Sequence, residues 1–171
     1  MSETESRLEV GLIGCGLIGQ KRAKALPMGD KLITCSDVSL ARAETLAAKA
    51  VTDWRAVAEN PAVDLVIVAT PHHTLAEITL AAVNADKHVV VEKPAARFAS
   101  ELEPVLAGRD NKGVQVHVGF NHRYHRSLRK AKELSSGALG ELMGTAGASV
   151  TRFRERMAGQ KEWRRSRAGA N

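Results

Sequence analysis

Gly14-x-Gly16-x-x-Gly19 and Asp37 are the residues whose types and spacing point most directly to chemistry. The apolar run Leu8–Ile13 leads into the glycines, and a helix-like stretch, Leu17–Leu26, follows them. Strand, glycines, then helix is the order that a dinucleotide pyrophosphate requires. Gly14 permits the tight turn, Gly16 lets backbone approach the phosphates, and Gly19 lets the helix pack close on the strand. The phosphates then rest at the helix N-terminus, beside Cys15, Leu17 and Ile18, where unpaired N–H groups and the helix dipole favour negative charge. Asp37 lies 18 residues beyond Gly19, after a second apolar stretch, Lys31–Ser36. That is near the spacing expected of the acid that binds the adenosine ribose. Its carboxylate can accept from both ribose hydroxyls and would repel a 2′-phosphate, which favours NAD over NADP. Arg42, one helical turn on, is a nearby basic residue. Plainer readings exist for both features. The glycines suit an ordinary strand-to-helix turn, and Asp37 suits an N-cap for a helix starting near Leu40.

The elements that must position these residues alternate along the chain. Strands are predicted at Glu9–Ile13, Leu32–Cys35, Leu65–Ala69, His88–Val91 and Val114–Val118. Helices are predicted at Leu17–Leu26, Leu40–Lys49, Trp54–Glu59, Thr74–Asn84 and Ala99–Arg109. Runs such as Leu65–Ala69 and Val89–Val91 are continuous rather than alternating, as in strands of a parallel sheet buried on both faces. The pattern implies an α/β fold, a doubly wound parallel Rossmann sheet. Ligands of such sheets bind beyond the carboxyl ends of the strands. There lie Gly14–Gly19, Asp37, Thr70–His73, Glu92–Pro94 and Gly119–Arg123. Thr70-Pro71 suits either the nicotinamide-side ribose or a plain strand-to-helix turn. A further strand is expected near Val51–Trp54, and the few residues available require it to be short.

The pattern changes after Phe120. A helix over His125–Ser135, ended by Gly137, and a strand over Leu142–Phe153 are expected. Residues 1–120 therefore read as the dinucleotide-binding domain. Residues 121–171 read as the start of an incomplete second α/β domain.

Composition narrows the function classes. The chain has 171 residues, 44% hydrophobic and 26% charged, an ordinary globular balance. Cys15 and Cys35 each end an apolar run and form neither a disulfide framework nor a metal cluster. His72 and His73 are adjacent and point in different directions, so no metal site is expected. No run resembles a signal peptide or a membrane span, which makes the cytoplasm the default compartment. Residues 121–171 carry 12 Lys and Arg against 4 Asp and Glu, while the first 120 carry 13 against 15. A nucleic-acid partner ranks last, because the basic tail has few aromatics to stack on bases and no recognised binding motif.

Several motifs together resemble the Gfo/Idh/MocA family of NAD(P)-dependent oxidoreductases. They are Gly-Cys-Gly-Leu-Ile-Gly (14–19), Ala-Thr-Pro-His-His-Thr (69–74), Lys-His-Val-Val-Val-Glu-Lys-Pro (87–94), Val-Gly-Phe-Asn-His-Arg-Tyr (118–124) and Gly-Ala-Leu-Gly-Glu-Leu (137–142). Lys-Glu-Trp-Arg (161–164) is similar to a stretch in members acting on sugars. The resemblance implies hydride transfer between a nicotinamide and a sugar, sugar nucleotide or polyol. It also implies a C-terminal domain that binds substrate and, when complete, supports homo-oligomers. Lys93 matches the family's active-site lysine. It would be a general acid/base or a clamp on the reacting hydroxyl; without the motif match, a solvated lysine paired with Glu92 would be the simpler reading. Thr70, Pro71, His73, Glu92, Asn121, Trp163 and Arg164 join the expected cofactor contacts. This chain has Leu75 where the family often has a histidine, and it ends before the family's Asp-x-x-x-His-like motif. Little turnover is therefore expected from these 171 residues alone, and a catalytically incomplete NAD-binding module is the alternative.

Overall fold

The computed structural model describes residues 7–46, 49–135 and 137. Six parallel strands form one sheet: β1 (Glu9–Ile13), β2 (Lys31–Ser36), β3 (Lys49–Val51), β4 (Leu65–Val68), β5 (His88–Val91) and β6 (Val116–Val118). Their spatial order is β3-β2-β1-β4-β5-β6. The chain winds outward from β1 to β3, returns to β4 beside β1, and winds outward again. This is the order of a doubly wound dinucleotide-binding sheet, with the reversal between β1 and β4.

Helices cover both faces. They are α1 (Leu17–Ala23), α2 (Leu40–Glu44), α3 (Arg55–Ala58), α4 (Leu75–Asn84) and α5 (Glu103–Lys112). Successive residues of a strand point to opposite faces, so each central strand feeds two cores. Val10 and Leu12 of β1 pack with Ile67 and with Ala43 of α2. Ile13, Val66, Val68, Val89 and Val91 pack with residues of α3, α4 and α5. Two covered faces require apolar residues at odd and even positions alike, hence the continuous apolar runs.

Several elements differ from expectation at their ends, for local reasons. α1 stops at Ala23 rather than Leu26, ahead of Pro27, and a residue preceding proline is disfavoured in the helical region. α2 ends at Glu44, since β3 already begins at Lys49. That strand is three residues long, so the short connection leaves room for a strand only of that size. His72–Thr74 and Ala99–Leu102 form 3₁₀ turns before α4 and α5. Pro104 lies in the first turn of α5, where its missing N–H costs no intrahelical bond.

The chain divides into two units, Met1–Arg123 and Tyr124–Asn171. In the second, α6 (Arg126–Ser135) is described, one residue shorter at its start than expected. The strand expected over Leu142–Phe153 lies outside the described residues, as do Trp163 and Arg164. Among the described residues, no helix is long and apolar enough to cross a membrane.

Cys15, just after β1, and Cys35, within β2, are free and fully buried beside each other. Burial, reinforced by Cys35, pushes the Cys15 thiol up from its ordinary 9.0 to about 12, and burial also pushes the Cys35 thiol up. A folded-state value above the unfolded one favours the protonated, folded form. The resulting stability is fully present below the unfolded value and is lost as pH rises through the folded value. Urea midpoints should therefore fall as pH climbs from 9.0 toward 12. A Cys15→Ala, Cys35→Ala double variant should show a flatter decline over that window, and equal slopes would contradict this account.

Candidate functional site

All the described candidate residues lie at the carboxyl edge of the sheet. The turn after β1 brings Gly14 to φ +94°, a left-handed conformation that side chains disfavour. A Cβ on Gly14 would stand 2.6 Å from the Ala69 carbonyl oxygen, at the end of β4. A Cβ on Gly19 would overlap the Gly14 carbonyl oxygen, so α1 crosses β1 at backbone contact. Gly16 differs from both: nothing lies within 4 Å of where its Cβ would be. Gly14 and Gly19 are thus required by the fold, whereas Gly16 faces open space at the start of α1. No side chain caps that end of the helix, so its first N–H groups remain available to an anion.

Asp37 follows β2 and reaches back to the glycine turn. Its Oδ2 accepts from the Cys15 backbone N–H at 2.9 Å, and its Oδ1 accepts from the Ser39 N–H at 2.9 Å. Arg42 of α2 pairs with Oδ1 at 2.9 Å. The cap reading is realised in part, since Asp37 holds Ser39, the residue that opens α2. In addition, the carboxylate fixes the turn that places Gly16.

On the other side of the reversal, Thr70 and Pro71 follow β4. The Thr74 hydroxyl lies 2.9 Å from both the Thr70 Oγ1 and the Pro71 carbonyl, closing the turn into α4. His73 is exposed in that turn. After β5, residues 92–95 form a tight turn in which the Ala95 N–H donates to the Glu92 carbonyl at 2.9 Å. The Lys93–Pro94 peptide in it is cis. Lys93 is exposed, whereas Glu92 is buried. Glu92 does not pair with Lys93. It pairs with Arg22 of α1, whose Nε donates to Oε1 at 2.6 Å, and Arg22 Nη2 donates to Asn121 Oδ1 at 2.9 Å. Arg22 is the site residue that sequence reasoning missed. It sits 70 residues from Glu92 and 99 from Asn121, and no local pattern signals that pairing. Among the described residues, no group of three His, Cys, Asp or Glu could hold a metal ion.

A glycine turn at the chain reversal, an uncapped helix start behind it and an acid at the end of β2 define a dinucleotide-binding Rossmann domain. Residues 8–120 match the family model for the oxidoreductase family with an NAD-binding Rossmann fold. The chain belongs to this Gfo/Idh/MocA family, and NAD is its cofactor. It is 33% identical over 156 residues to a levoglucosan dehydrogenase of Pseudarthrobacter phenanthrenivorans, covering 82% of this chain and 40% of that protein. It is 32% identical over 163 residues to a scyllo-inositol 2-dehydrogenase (NADP(+)) of Bacillus subtilis, covering 92% of this chain and 45% of the relative. Among solved structures, a probable dehydrogenase from Thermotoga maritima superposes with a TM-score of 0.72 at 34% identity, over 78% of this chain and 42% of that one. The chain thus spans less than half the length of these relatives.

The glycines separate two kinds of substitution. Gly16→Val should fold with a near-normal urea midpoint yet lose NADH binding. Gly19→Ala should lose stability first, by about 1–3 kcal/mol as for overpacking of a tight contact. Equal urea midpoints for the two variants would show that the crossing at Gly19 is less tight than its geometry indicates.

Proposed function

We propose that this chain forms the cofactor-holding part of a dehydrogenase that transfers hydride between NAD and a hydroxyl of a sugar-like polyol. The observation that carries the reading is the convergence, on one sheet edge, of an anion-ready helix start with Gly16 facing open space and an exposed Lys93 beyond β5. The relatives named for inositol and levoglucosan support the polyol class. Residues 121–171 begin the substrate domain in this reading, and a completed domain would support homo-oligomers.

The donor set fits the cofactor. Backbone of Gly14–Gly19, including Cys15, Leu17 and Ile18, holds the pyrophosphate. Asp37 accepts from the adenosine ribose through the Oδ2 lone pair not used by Cys15, since Oδ1 is taken by Ser39 and Arg42. Thr70, Pro71 and His73 border the nicotinamide half, with Glu92, Lys93 and Asn121 on the far side of the reversal. Bound NAD supplies the hydride acceptor at its nicotinamide ring. The chain's own part is to hold the polyol and take the hydroxyl proton. The Lys93 amine accepts that proton as the carbonyl forms and returns it in the reverse direction.

Asp37 opposes a 2′-phosphate, while Arg42 offsets part of that repulsion. Calorimetric titration should show NADH binding tighter than NADPH by about tenfold, ~1.4 kcal/mol. Asp37→Ala should narrow the gap, and no NADH binding at all would overturn the reading. In a full-length parent, Lys93→Ala should leave NADH affinity nearly intact while cutting polyol-dependent NADH formation about 10²–10⁴-fold. Undiminished formation would remove Lys93 from the chemistry.

A further inference from the structure

Glu92 and Lys93 are sequence neighbours of opposite charge at one tight turn, yet they do not pair with each other. The Glu92 carboxylate turns into the protein, where its side chain is 11% exposed, and meets the Arg22 guanidinium, itself 25% exposed. Arg22 donates through both Nε and Nη2 to Glu92 Oε1, and its Nη2 also reaches Asn121 Oδ1. Gly119 permits this arrangement, for a Cβ there would lie 3.2 Å from Arg22 Nη2 and 3.3 Å from the Glu92 carboxyl carbon. One guanidinium thereby joins α1, the turn after β5 and the segment after β6. Among the described residues, Lys93 makes no ion pair.

We infer that Arg22 is a positioning residue for Lys93. By taking up the Glu92 carboxylate, it keeps the adjacent amine unpaired and able to exchange a proton. The inference rests on the proposed role of Lys93 and adds to it the residue that keeps the amine available. The physical argument is one of charge balance. A buried carboxylate that loses its counter-charge must find another, and the amine adjacent to it in the sequence is that of Lys93. An opposite charge within ~4–6 Å holds an amine in its protonated form. With Arg22 present, the Glu92 carboxylate is already paired. The other charged or titratable groups near this turn belong to neighbouring segments. Arg97 is bonded to Glu101, His72 and His73 follow β4, and His122 and Arg123 follow β6.

The test reads the amine directly and needs no turnover. The full chain is acetylated with a limiting N-hydroxysuccinimide ester at one mildly alkaline pH. Peptide mass spectrometry then gives the labelling rate of Lys93 relative to exposed Lys31. Arg22→Met should lower that ratio about three- to tenfold, because a carboxylate partner favours the charged form of an amine and reduces the neutral fraction that the ester labels. Adding Glu92→Gln to Arg22→Met should restore the ratio, and Arg22→Lys should largely preserve it. Structural damage that does not come from the unpaired Glu92 charge would not be repaired by Glu92→Gln. Glu92→Gln alone keeps the test open if Arg22→Met does not fold, because the unbalanced Arg22 charge should then raise the ratio. An unchanged ratio in Arg22→Met, no restoration in the double variant, or no rise in Glu92→Gln would each overturn the inference. If instead Lys93 has no part in the chemistry, these labelling shifts persist while Lys93→Ala in a full-length parent leaves NADH formation unchanged.

Discussion

The backbone contact between α1 and the end of β1 is the constraint on which the rest of this structure depends. The Gly14 carbonyl oxygen occupies the space that any side chain at Gly19 would need, and Gly14 itself abuts the Ala69 carbonyl across the chain reversal. That approach sets where α1 begins and where its uncapped N–H groups point. It also sets how far Arg22, on the same helix, can reach toward β5. A helix held farther from the sheet by one methyl group would change all three, because the contact is backbone against backbone and has no flexible side chain to give way.

Two buried or half-buried carboxylates stitch this edge together in parallel ways. Asp37 ties the glycine turn to the start of α2 through Cys15 and Ser39, with Arg42 as its counter-charge. Glu92 ties the turn after β5 to α1 through Arg22, which extends the link to Asn121. Each carboxylate is satisfied by several donors at once, the condition under which a buried charge is tolerable. The result is an edge whose loops are fixed by ion pairs from opposite sides of the reversal.

The reading of Lys93 turns on this second link. Side by side in the sequence, Glu92 and Lys93 look like a mutual ion pair, and that was the simpler view of the lysine. Folding separates them by burying one and exposing the other. The turn at residues 92–95 accomplishes this: Glu92, directly after β5, continues the strand's alternation of faces, while Lys93 lies out in the turn. Val91 enters the core on the α4 side, and Glu92 turns to the α1 side, where Arg22 waits.

Much of the architecture was legible in the chain itself, for physical reasons. Strands covered on both faces favour continuous apolar runs, so Glu9–Ile13 and His88–Val91 announced themselves to the residue. The glycine spacing announced the turn, because few other residues can take a positive φ or a backbone contact there. Helix ends were less legible: α1 stops short before Pro27, and α5 is preceded by a separate 3₁₀ turn, since local bonds at helix termini compete on nearly equal terms. What the tertiary structure alone decided was partnership. It showed that Gly16 faces open space while Gly14 and Gly19 are sterically required, a distinction the motif does not contain. It also decided that Glu92 belongs to Arg22 rather than to Lys93. Ion pairing depends on distance in space and on burial, and a sequence separation of 70 residues encodes neither.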